Sequence, residues 1–169
     1  MLKWQSLVTK IKPELNENSK LTHPHDGHIT LCFIGAVSPT KIASIRNALK
    51  TYISSYSANN LKLSFENIEP FPKPNSKILA ATATTALEEL VSGIADCLTP
   101  LGVRRDLRTF RPHVTLLRRI NSNLTTFGIH KITPITYNCT QICLYETTPL
   151  TPNGRYQILE KFPLTENNK

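Results

Sequence analysis

Two short stretches each set an imidazole beside a hydroxyl: "HITL" at 28–31 and "HVTL" at 113–116. Along an extended strand, alternate residues point to one face, about 6.5–7 Å apart. His28 and Thr30 then share a face, as do His113 and Thr115. Ile29 and Leu31, or Val114 and Leu116, turn to the opposite side, toward a core. Each pair offers one group that titrates near neutrality and one small hydroxyl. Two such pairs facing each other suit metal-free in-line displacement at phosphorus. One histidine serves as base for the nucleophile and the other as acid for the leaving oxygen, while the threonine hydroxyls hold the non-bridging oxygens.

The first copy also lies in a denser cluster, "HPHDGHIT" at 23–30. His23, His25, Asp26 and His28 together raise a second possibility, a hydrolytic metal site. The spacing fits poorly. The zinc-hydrolase pattern H-x-H-x-D-H wants aspartate at 27, where this chain has Gly27, and Pro24 marks a loop. His23 and His25 are therefore expected to be exposed loop residues, and no metal is expected.

Charge narrows the class of partner. The chain of 169 residues carries a net charge of +8, and from Arg104 to Arg119 six arginines stand against one acid, Asp106. Positive charge concentrated this way favours phosphate-bearing ligands. With 40% apolar and 19% charged residues the composition is that of a globular domain rather than a disordered segment. No apolar run approaches the roughly 18 residues that span a bilayer, and the N-terminus lacks the core of a secretory signal. Cys32, Cys97, Cys139 and Cys143 have neither metal-site spacing nor disulfide density. They are read as reduced, mostly buried thiols of a cytoplasmic protein.

The elements that must position these residues follow from periodicity. Residues 2–12 read as a short helix, and "HITLCFIG" (28–35) as a strand closed by glycine. Ser38 and Pro39 open a helix over 38–53 with Ile42, Ile45, Leu49 and Ile53 as its buried stripe. Strands are expected at 61–71 and 77–83 around the turn "PKPNS". A helix follows over 85–101, with Thr85 and Glu88 as a capping box and Leu87, Leu90, Val91, Ile94 and Leu98 inward. "PHVTLLRRI" (112–120) reads as a strand entered through proline. Two antiparallel strands, 135–146 and 154–162, complete one domain over residues 1–169.

The paired H-x-T-L motifs, with "HITLCFIG" and "FRPHVTLLRR" around them, resemble the 2H phosphoesterases. Within that superfamily the chain is most similar to the bacterial RNA 2′,3′-cyclic phosphodiesterases, also called RNA 2′,5′-ligases. The likeness runs from about residue 20 to the end and includes "EPFPKPNSKILAA" and "LYETTPLTPNGRYQILEKFPL". It implies an α+β fold of two pseudo-symmetric lobes, each an antiparallel sheet with outer helices, and a cleft between them. It implies hydrolysis of RNA 2′,3′-cyclic phosphate ends, tRNA-derived ends included, to 2′-phosphates, and reversible 2′-5′ ligation by the same groups. No cofactor, membrane or obligate protein partner is implied. His28 becomes the proton donor and His113 the proton acceptor, and Thr30 and Thr115 steady the phosphoryl oxygens.

The resemblance also assigns Arg118 to phosphate binding, whereas simple alternation puts Arg111 and Arg119 on the face of His113. A bulge in the strand would reconcile the two. Family members usually begin with a strand before the first helix; here that strand is expected to be absent, or the chain to be a shortened form, an expectation that falls on residues 1–18. Its loss would leave a sheet edge beside His28 open to pairing with another chain. Gly27 also replaces the usual apolar residue before the first histidine. The competing readings are a non-catalytic RNA-binding module, indifferent to the histidines, and the metal-dependent hydrolase built on His23, His25 and Asp26.

Overall fold

A computed structural model describes residues 19–56, 61–118 and 128–164. The helix expected over 2–12 and the side chain of Arg119 lie outside that range. Helix α1 spans Pro39–Ser55, with Ser38 at its N-cap position and proline in its first turn, as the sequence predicts. The Ser38 hydroxyl makes no cap bond and pairs instead with the Thr40 hydroxyl. Ile45, Leu49 and Ile53 are buried, one turn apart along a single stripe.

Strands β1 (Lys20–Leu21), β2 (Lys62–Pro70), β3 (Ile78–Ala83), β4 (His113–Arg118) and β5 (His130–Asn138) form one sheet in the order β1-β4-β3-β2-β5. Strands β6 (Gln141–Thr151) and β7 (Gly154–Pro163) form a second. Every pairing is antiparallel. Helix α2 runs over Glu88–Leu98 and ends in a 3₁₀ turn, Thr99–Leu101, closed by Gly102 at φ +79°. The fold is α+β. Its core joins Ile45, Leu49 and Ile53 of α1 and Leu90, Ile94 and Leu98 of α2 to Phe65, Leu79, Leu116 and Leu117 of the larger sheet. Leu144 and Phe162 of the hairpin belong to the same cluster.

Four expectations are corrected. Thr85 does not cap α2: its hydroxyl donates to the Lys62 carbonyl and accepts the Ser64 N–H, so β2 has claimed it and Leu87 takes the N-cap position. The single strand expected over 135–146 is two strands in different sheets. The chain leaves β5 at Asn138, where the Cys139 N–H bonds the Leu61 carbonyl, and enters β6 at Gln141. The two consecutive polar residues there, Thr140 and Gln141, shift the phase of the alternation, and that shift marks the passage from one sheet to the other. The four cysteines are free and half-buried rather than mostly buried.

The fourth correction concerns the first motif. Residues 28–35 belong to neither sheet. Ile29, Leu31, Cys32 and Ile34 pack against the core, so the apolar pattern is used. The segment and β6 line one cavity of about 920 Å³, however, and no ladder closes between them. Among the described residues no strand pairs with it, so apolar packing alone holds it against the core.

Candidate active site

His113 opens β4, in the interior of the five-stranded sheet. Just before it the Pro112 carbonyl accepts the Ala83 N–H at 2.9 Å, which extends the ladder to the proline and fixes where the strand begins. The Nδ1 of His113 lies 2.8 Å from the Arg111 carbonyl. A carbonyl only accepts, so Nδ1 carries the proton and Nε2 keeps its lone pair when the ring is neutral. The ring stacks on Phe71 with centroids 3.7 Å apart. The Arg111 guanidinium sits 5.2 Å from the Phe71 centroid, bonded to Glu69 at 2.8 Å and to the Pro72 carbonyl at 3.2 Å. Glu69, Phe71 and Arg111 thus form a platform that holds the imidazole flat.

Burial pushes the His113 pKa below its ordinary value of 6.5. The Arg111 carbonyl opposes that shift, and the charges of Arg111, Arg118 and His28 add to it. A ring held neutral in this way is able to accept a proton at Nε2. The contribution of His28 is the last of these in size and comes from a residue 85 positions away in sequence.

The register of β4 resolves the two arginine arguments. Leu117 pairs with Leu79 and Thr115 with Ala80, which leaves Leu116 as the extra residue of a bulge. Leu116 and Leu117 are both fully buried, so the in-out alternation inverts between them. Arg118 thereby falls on the exposed side with His113 and Thr115, while Arg111 reaches the same imidazole from before the strand.

His28 is held differently from below but by the same bond. Its Nδ1 lies 2.7 Å from the Asp26 carbonyl, and its Nε2 lies 3.1 Å from the Thr30 hydroxyl. Each histidine therefore gives its Nδ1 proton to the carbonyl two residues before it, and each points Nε2 outward. The Tyr156 ring meets His28 edge-on at 4.5 Å and Tyr145 lies at 5.8 Å. Burial, reinforced by Cys143, pushes the Tyr145 phenol up to about 12 and keeps it neutral.

The alternative metal cluster is not assembled. Asp26 is buried, and its Oδ1 accepts the N–H groups of Arg155 at 2.8 Å and Tyr156 at 3.3 Å. His23 uses Nδ1 to accept the His25 N–H and stacks on the His25 ring. Among the described residues no three His, Cys, Asp or Glu side chains are grouped to hold a metal ion. His25 is exposed as expected, but His23 is half-buried.

In the arginine-rich loop, Arg108 binds the Asp106 carboxylate, which lowers that carboxyl to about 2, and Arg105 is tied to Asp96 and Ser92. Sequence reasoning missed the roles of Asp26, Phe71, Tyr145 and Tyr156. Only Asp26 carried a signal, and its neighbours made that signal look like metal ligation.

Comparison with known proteins gives the chain's family and its fold. The profile described as the 2′-5′ RNA ligase superfamily matches residues 3–149. A protein of Archaeoglobus fulgidus named RNA 2′,3′-cyclic phosphodiesterase is 34% identical over 121 residues, 67% of this chain and 66% of that protein. A Bacillus subtilis protein of the same name is 30% identical over 103 residues, 59% and 55% respectively. The chain thus spans less than two thirds of the length of these relatives. Among solved structures, E. coli LigT complexed with 3′-AMP superposes with a TM-score of 0.75 at 19% identity, over 96% of this chain and 91% of LigT. A Thermus thermophilus structure gives 0.71 at 18%, over 100% and 95%. At such identities the likeness is one of fold. Among the described residues no helix is long and apolar enough to cross a membrane.

Proposed function

This chain belongs to the 2′-5′ RNA ligase superfamily, and from that membership we propose that it opens RNA 2′,3′-cyclic phosphate ends to 2′-phosphates. The observation that carries the reading is the shared posture of the two histidines. Each is locked with its proton on Nδ1 by the carbonyl two residues before it, which leaves Nε2 for proton transfer, and the charge of His28 bears on His113. His113 takes a proton from water as its oxygen attacks phosphorus. The bond from phosphorus to O3′ breaks, and O3′ takes a proton from Nε2 of His28. Thr30 and Thr115 hold the non-bridging oxygens. The two histidines exchange protonation states over one turnover, and solvent restores them. The step uses neither nucleotide nor metal, because the strained ring needs only positioning and proton transfer.

The site lies in the groove where His113 of the five-stranded sheet faces His28 against the β6–β7 hairpin. Contacts of Tyr145 and Tyr156 with His28 support that two-lobed arrangement. With the 5′-hydroxyl of a second strand in place of water, the same groups would open the cyclic phosphate to a 2′-5′ linkage: His113 takes the hydroxyl proton, the bond from phosphorus to O3′ breaks, and O3′ takes a proton from His28. The relatives' names favour the hydrolytic direction. The test uses an oligoribonucleotide ending in a 2′,3′-cyclic phosphate, incubated with the protein in EDTA, with the product resolved as 2′- or 3′-phosphate. A 2′-phosphate is expected. A 3′-phosphate, or activity only after zinc or manganese is added, would overturn the reading.

The two arginines separate by their partners. Arg111 is already bound to Glu69 and Pro72, whereas Arg118 is exposed at the end of β4. Arg118→Ala is expected to raise KM about 10-fold, the lower range for a charged hydrogen bond to phosphate. Arg111→Ala is expected to lower kcat more than it raises KM, since it disturbs the platform under His113. Steady-state kinetics at low salt measures both, and an unchanged KM for Arg118→Ala would remove that residue from the phosphate site.

A further inference from the structure

We propose that Asp26 is a positioning residue for His28, acting through two bonds at once. The inference rests on His28 serving as the acid described above. Asp26 closes the 3₁₀ turn Pro24–Asp26 and is one of the few polar side chains buried among the described residues, at 7% exposure. Its Oδ1 accepts two successive backbone N–H groups at the start of β7, those of Arg155 and Tyr156. Its own carbonyl accepts the Nδ1 proton of His28. One residue therefore ties the hairpin to the turn with its side chain and sets the imidazole with its main chain.

The hairpin side of the clip is shaped to receive the carboxylate. Gly154 takes φ +90°, which side-chain-bearing residues rarely adopt, and a Cβ there would run into the Asp26 carboxylate. The strand that starts at this glycine carries Tyr156, whose ring meets His28 edge-on at 4.5 Å. The clip thus holds His28 from below through the carbonyl and from the side through Tyr156. It also reassigns the density of "HPHDGHIT": the aspartate orients the third histidine, and the first two form the turn that presents it.

The consequence is a split between kinetic constants. Loss of the clip lets the imidazole tilt and exchange its tautomer without removing any group that binds phosphate. Asp26→Ala is expected to lower kcat about 10- to 100-fold with KM within about twofold, the cost of misplacing a proton donor by a fraction of an ångström to an ångström. Asp26→Asn keeps an oxygen at the Oδ1 position and is expected to stay within about threefold of wild type, since that oxygen still accepts both N–H groups. If Asp26→Ala does not fold, Asp26→Ser replaces it, because its hydroxyl is too short to span to β7.

Nitrogen-15 NMR of the imidazoles supplies a readout independent of turnover. His28 in wild type and in Asp26→Asn is expected to hold its proton on Nδ1, and in Asp26→Ala or Asp26→Ser to show averaging over both nitrogens. An unchanged tautomer in the truncated variants would overturn the proposal. So would an unchanged kcat, or a kcat loss in Asp26→Asn equal to that of Asp26→Ala. A wild-type protein inactive on the cyclic phosphate would sink the phosphodiesterase reading alone, since the tautomer measurement still tests what Asp26 does to His28.

Discussion

Replacing His113 with alanine is expected to lower kcat on a 2′,3′-cyclic phosphate end by about 10²- to 10⁴-fold, the usual worth of one positioned proton transfer. Affinity for the RNA should change little, because Arg118 and the threonines remain. The pH dependence of the wild type provides the sharper check. His113 must be neutral to accept a proton, and burial holds its pKa below the ordinary 6.5. The acid limb of kcat/KM is therefore expected to fall below pH 6.5, and a two-histidine mechanism, which needs one ring neutral and the other protonated, predicts a bell-shaped profile. A profile flat from about pH 5 to 8, with chemistry limiting, would count against two histidines in these roles.

The same shift has a stability sign. The unfolded chain binds a proton at this site at higher pH than the folded one does, so unfolding gains protons as pH falls. Neutral His113 contributes its full stability above pH 6.5 and loses it as pH drops from there through the lowered folded pKa. His113→Ala should remove that component, and its melting temperature should depend less on pH below 6.5. A steeper dependence in the variant would contradict the assignment of a buried, neutral imidazole.

What the sequence made legible here was whatever local pattern controls. Pro39 in the first turn and the stripe of Ile45, Leu49 and Ile53 announce α1 because the fixed φ of proline and 3.6-residue periodicity act within a few turns. The repeat of H-x-T-L points to both histidines because side-chain alternation is a property of any extended segment, paired or not. That is why the motif at 28–31 still presents His28 beside Thr30 although no ladder forms there. Features decided by distant partners were out of reach. Thr85 leaves its capping box because Lys62 and Ser64 of β2 bind it. The bulge at Leu116 comes from the register against β3, and only that register carries Arg118 to the side of His113. Asp26 finds its partners at Arg155 and Tyr156, about 130 residues away, so its spacing among histidines misled.

His28→Ala is expected to cost as much as His113→Ala on the natural substrate, yet the two variants should part when the leaving group changes. An acid is needed because O3′ departs as an alkoxide unless it is protonated, and the benefit of general acid catalysis shrinks as the leaving group becomes less basic. In a cyclic phosphorothiolate with sulfur bridging at the 3′ position, the thiolate leaves without a proton. On that substrate His28→Ala should recover most of the lost 10²- to 10⁴-fold, while His113→Ala should stay impaired, since attack by water still needs a base. The geometry that makes this test decisive is the common posture of the rings. Both present Nε2 and both anchor Nδ1 to a carbonyl, so posture alone does not distinguish donor from acceptor. The lowered pKa of His113 favours it as the base in the proposed reaction, and leaving-group rescue confined to His28→Ala is the outcome that assignment requires. Rescue of His113→Ala instead would exchange the two roles without moving the site.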